Sequence, residues 1–83
     1  MARTMGDEIM AVDALREMSA VYRDSGRLNE AIETSLKALE MCHRTDPQRA
    51  ATLLQTLGKL YELQGDPERA TASYTQARRM AQQ

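Results

Sequence analysis

The 83 residues contain no tryptophan, no phenylalanine and a single cysteine. Cys42, having no partner in the chain, excludes an intrachain disulfide and fits a reducing compartment. One cysteine and one histidine cannot assemble a four-ligand metal site within one chain, and no metal or other cofactor is expected. Neither sign of charge predominates: the formal net charge is −1, with acids and bases interspersed. A nucleic-acid surface would need a basic stripe, so nucleic acid is not the expected partner. No apolar run approaches the ~18 residues of a membrane span. The opening MARTMGDEIM also lacks the apolar stretch of a secretory signal. These absences lead to the expectation of a cytoplasmic, membrane-independent protein.

What the chain does have is self-similarity. Leu15, Met18, Ser19, Tyr22, Gly26, Ala31, Ser35 and Ala38 recur, as Leu54, Leu57, Gly58, Tyr61, Gly65, Ala70, Tyr74 and Ala77, at a constant interval of 39 positions. Each copy reads as helix, glycine turn, helix. The first helix is expected from about Met5 to Asp24, with Thr4 and Asp7 at capping-box spacing, although Asp replaces the usual Glu or Gln. Placed at about 100° per residue, Met10, Ala11, Ala14, Leu15, Met18, Val21 and Tyr22 gather on one side. Asp13, Arg16, Ala20 and Arg23 gather on the other, where Met5, Ile9 and Val12 also fall. Ser25-Gly26-Arg27 forms the turn, because glycine takes the positive φ that ends a helix. The second helix, Leu28 to His43, carries the small residues Ala31, Ser35, Ala38 and Cys42 as a flat strip, with Ile32, Leu36 and Leu39 beside it. Asp46-Pro47 and Asp66-Pro67 are cap-plus-proline starts for a third helix to about Leu63 and a fourth to about Ala81. Gly58 in the third costs up to ~1 kcal/mol of helix propensity, for which room for a close helix crossing is the compensation. The outer side of the fourth, with Arg69, Thr71, Gln76 and Arg79, suits a solubilising end cap.

The stretch ATLLQTLGKLYELQGDPERATASYTQA, with its earlier copy, resembles the tetratricopeptide repeat family, and among its members the extended repeats of kinesin-light-chain-like proteins, with periods of about 40 residues. The resemblance covers most of the chain. It implies an all-α fold: two tandem helix–turn–helix hairpins, four antiparallel helices in all, forming a short right-handed α-solenoid. One domain over 1–83 is expected, with repeat one at about 5–44 and repeat two at about 46–82. The first copy departs from the pattern at Ser35, where Tyr74 supplies the usual large aromatic side chain in the second. About three such repeats are usually needed for stability, so two should be marginal, or supported by self-association or a larger parent.

The resemblance also implies a protein-binding role, exercised on the concave face made by the first helix of each pair. Carried onto this chain, that face is Asp13, Arg16, Ala20, Arg23, Thr52, Gln55, Lys59 and Glu62. Some members hold acidic C-terminal tails of chaperones with lysines and asparagines spread over three repeats; Arg16 and Ala20 at the matching positions, with no third repeat, exclude that mode here. The expected partner is a protein or peptide, as an extended strand or amphipathic helix. Met5, Ile9 and Val12 form a second candidate surface. They either pack on the chain's own core or serve self-association as a homodimer. An enzyme is not expected. Cys42 and His43 are adjacent on a helix and point about 100° apart, so they do not form a thiolate–imidazole pair. The alternative to an interaction module is a ligand- or peptide-sensing regulatory fragment of a larger protein.

Overall fold

The computed structural model describes residues 5–82, excluding the side chain of Met5. The expected cap at Thr4 and the contribution of Met5 to the second surface lie outside the described residues. Four helices account for nearly all the rest: α1 (Met5–Asp24), α2 (Leu28–Cys42), α3 (Pro47–Gln64) and α4 (Pro67–Ala81). Each packs chiefly on its neighbours in sequence, α1 on α2, α2 on α3 and α3 on α4. The resulting slab measures 41 × 30 × 14 Å between Cα extents, the shape of hairpins stacked side by side.

Both hairpin turns are built the same way. Gly26 and Gly65 adopt φ of 79° and 84°. Around Gly26, the amide of Arg27 reaches the Tyr22 carbonyl at 2.8 Å and the Gly26 amide reaches Arg23 at 3.0 Å. Around Gly65, Asp66 reaches Tyr61 at 2.8 Å and Gly65 reaches Glu62 at 3.0 Å. This pair of bonds, six-to-one and five-to-two, satisfies carbonyls that the helix end would otherwise leave open. The N-termini of α3 and α4 are capped as expected: Asp46 accepts from the Arg49 amide at 3.1 Å and Asp66 from the Arg69 amide at 3.2 Å, each followed by proline in the first turn.

The core forms two adjoining clusters. One joins Ala31 and Ile32 of α2, Leu54, Leu57, Leu60 and Tyr61 of α3, and Ala70 and Ala77 of α4. The other joins Val12, Ala38, Cys42, Ala50 and Leu53, with Leu15, Met41 and Met80 at its margin. Small residues let the helices approach within each hairpin. In the first, the Ser19 hydroxyl donates to the Ala31 carbonyl at 2.9 Å and lies 2.6 Å from the Ser35 hydroxyl. Its single proton being used, Ser35 is the donor between the two. In the second, Gly58 leaves space for the Tyr74 ring: a Cβ there would lie 2.5 Å from it.

The orientation of α1 corrects the sequence reading. Val12, expected on the outer side, is 2% exposed and belongs to the second core cluster. Met10, Met18 and Val21, expected to face inward, are exposed. The side of α1 that meets the rest of the molecule runs through Val12 and Ser19, with Leu15 and Tyr22 half-buried at its edge. The serine is inward because its hydroxyl is satisfied by the backbone of α2 and its small volume permits close packing.

Candidate functional site

A cleft of about 440 Å³ opens where α1 and α3 lie side by side, lined by Arg23, Thr52, Gln55, Thr56, Lys59 and Tyr74. Thr52, Gln55, Thr56 and Lys59 fall within two turns of α3, on the side left bare by the core residues Leu53, Leu54, Leu57 and Leu60. Arg23 enters from the last turn of α1. Tyr74 crosses from α4, over the gap left by Gly58.

The cleft has defined donors and acceptors. Thr52 donates to the Gln48 carbonyl at 3.1 Å, and Thr56 donates to the Thr52 carbonyl at 3.1 Å. With their protons committed to the helix, both hydroxyls face outward only as acceptors. Arg23 and Lys59 bring positive charge, and Gln55 an amide with both capacities. The Tyr74 hydroxyl donates to the Glu62 carboxylate. That hydrogen bond, reinforced by burial and by the carboxylate's charge, holds the phenol protonated above its ordinary range.

Four of the eight residues expected on this face, Arg23, Thr52, Gln55 and Lys59, therefore come together. Glu62 stands at the margin through Tyr74. Arg16 is exposed and Ala20 half-buried, and neither lines the cleft. Asp13 is placed differently from expectation: its carboxylate accepts from Arg49 Nε at 3.1 Å, and Arg49 Nη1 donates to Asp46 at 2.8 Å. The three form a clasp from α1 to the start of α3. The Arg49 hydrogen bond is the main reason both carboxyls titrate below their ordinary range. Thr56 and Tyr74 line the cleft without having been expected there. Thr56 is legible in retrospect as one turn beyond Thr52. Tyr74 is not, because the sequence gives no sign that a core tyrosine's edge reaches across to α3.

The second expected surface is not a surface at Val12. That side chain, with Glu8, the exposed Ile9, Met41, Cys42, Thr45, Asp46 and Arg49, lines a partly open pocket of about 30 Å³, room for little more than a water molecule. Cys42 is buried, and burial pushes its thiol up, with the Asp46 charge adding to the effect. It is a core residue. His43 is exposed beside the Glu40 carbonyl. Among the described residues no group of three His, Cys, Asp or Glu side chains is placed to hold a metal ion, and no helix is long and apolar enough to cross a membrane.

Stacked helical hairpins with matching turns and a polar cleft along their first helices define a helical repeat protein. The model of one such family, the tetratricopeptide repeat, matches residues 10–83. The chain belongs to the tetratricopeptide repeat family. A search of curated proteins returns no match. Repeats of this family are typically protein-interaction modules without catalysis of their own.

Proposed function

We propose that the chain binds a segment of a partner protein in the cleft between α1 and α3. The observation that carries this is the convergence of Arg23, Thr52, Gln55 and Lys59, from two separate helices, on one opening. Cations with threonine acceptors and a glutamine amide suit a peptide, whose backbone needs both a donor and an acceptor along its length. The two bases favour a segment bearing at least one carboxylate near its centre. A cytoplasmic setting accords with the free, buried thiol of Cys42. Self-association is compatible with this reading, because the cleft lies away from the exposed apolar side of α1.

The reading is tested with an array of acidic and neutral peptides probed by the native chain and by the Arg23→Glu, Lys59→Glu double variant. Acidic peptides bound by the native chain and lost by at least tenfold in the variant, at equal helicity, would support it. An unchanged binding profile would refute it.

A further inference from the structure

Arg49 stands one turn before Thr52 on α3, on the side of that helix that walls the cleft. The stripe Arg49, Thr52, Thr56 and Lys59 thus begins and ends on a cation. Lys59 opens to the cleft, whereas Arg49 is occupied by the chain itself. Asp13 takes the guanidinium edge-on: Nε donates to Oδ1 at 3.1 Å and Nη2 to Oδ2 at 3.4 Å. Arginine holds a foreign carboxylate by the same two-point grip. Nη1 is turned aside, to Asp46 at 2.8 Å.

The repeat shows which way Asp13 faces. At the interval of 39 it holds the place of Thr52, a wall residue of the cleft. Its carboxylate therefore belongs to the cleft side of α1, ten residues before Arg23. Both side chains of the pair are 37% exposed, so a solute can reach them, and parting them in water costs little. Arg16, three residues on and exposed, is placed to receive the released carboxylate. Asp46 stays on Arg49, and Glu8 lines the small pocket beside it. Those two acids keep this end from drawing anions by charge alone. What it offers is the shape of the freed guanidinium edge.

We propose that Asp13 is a built-in competitor of the partner: it occupies, on Arg49, the place of a second carboxylate of the bound segment. On the cleft reading, on which this rests, the first carboxylate meets Arg23 and Lys59. Ten residues separate Arg49 from Lys59, which is ~15 Å of helix. An extended segment covers that distance in about four or five residues. The favoured partner thus carries two acids at that spacing, and its second acid displaces Asp13. One ion pair replaces another, so the native chain gains less from the second acid than a chain without Asp13.

Fluorescence anisotropy tests this with the acidic peptides of the array, each made in three forms of equal length. One form carries a single glutamate, one carries two adjacent glutamates, and one carries two glutamates five positions apart. The adjacent and spaced forms have the same charge. Asp13→Asn should strengthen binding of the spaced form at least fivefold more than binding of the adjacent form. Arg49→Gln should bring the two forms to equal affinity. Should either variant lose helicity, the native chain carries the test: the spaced peptide should shift the Arg49 Nε–H resonance, and the adjacent one should not. An equal gain for both forms in Asp13→Asn, or an Arg49 resonance indifferent to spacing, would overturn the proposal and leave the cleft reading intact. Acidic peptides that bound neither the native chain nor Asp13→Asn would overturn both.

Discussion

Positions 19 and 35 in the first hairpin, and 58 and 74 in the second, solve one packing problem in two ways. Ser19 and Ser35 share a buried hydrogen bond; Gly58 and Tyr74 pair an absent side chain with a large ring. Adding a methyl group at Gly58 gains up to ~1 kcal/mol of helix propensity but forces the ring aside, an overpacking cost of about 1–3 kcal/mol. Gly58→Ala should therefore lower the melting temperature. Gly58→Ser combined with Tyr74→Ser should recover part of the sum of the two single losses, since it recreates the serine pair. A double-mutant cycle by thermal circular dichroism reads that coupling. The clasp of Asp13, Arg49 and Asp46 makes a pH prediction. Both carboxyls titrate lower in the folded chain than in the unfolded one. Their contribution is thus present above the unfolded carboxylate value of about 4 and lost as pH falls through the lower folded values. Asp13→Asn should melt below the native chain at neutral pH, and the gap should close on acidification. A gap that widened toward acid would contradict this assignment.

At the scale of the helices, the two glycine turns should be equivalent. Neither has anything near an added Cβ, so Gly26→Ala and Gly65→Ala should each cost about 1 kcal/mol, from backbone conformation alone. Asp66→Ala should cost about 1 kcal/mol as a lost cap, and Asp46→Ala more, because Asp46 holds at 2.8 Å the Arg49 side chain that reaches α1, whereas the Asp66 pair with Arg69 is longer, 3.5 Å, and exposed. Urea unfolding of the four variants orders them. These are the elements the sequence declared most openly. A cap, a proline and a glycine act on their own few residues, so the starts of α3 and α4 and both turns follow from local chemistry. The facing of α1 does not. Its apolar residues form two stripes, and periodicity says that each is a face without saying which is inward. The choice is made by what α2 offers: the Ala31 carbonyl and Ser35 attract Ser19, and the space beside Ala38 and Cys42 accepts Val12. Four of the six residues that line the cleft, Arg23, Thr52, Gln55 and Lys59, were legible through the family resemblance. Asp13 was misplaced because its partner, Arg49, is 36 positions away in sequence.

Across the whole molecule, the stacking order sets where stability resides. Among the described residues α2 and α3 each have a helix packed extensively on both sides, whereas α1 packs chiefly on α2 and α4 on α3. Apart from the Asp13–Arg49 clasp and the packing of Val12 beside Ala50 and Leu53, each helix rests on its neighbours in sequence, so opening should proceed from the ends. Amide hydrogen exchange should find the strongest protection in α3 around Leu57 and Leu60 and the weakest in the first turns of α1. Uniform protection over the four helices would indicate a single cooperative unit instead.

Cys42 is the one sulfhydryl in the chain and lies where residues of α1, α2 and α3 converge. A thiol reagent in solution can reach it only when that junction parts. Its rate of modification therefore clocks the separation of the first hairpin from the second, with no label attached, and any bound partner that clamps the two hairpins together will slow it.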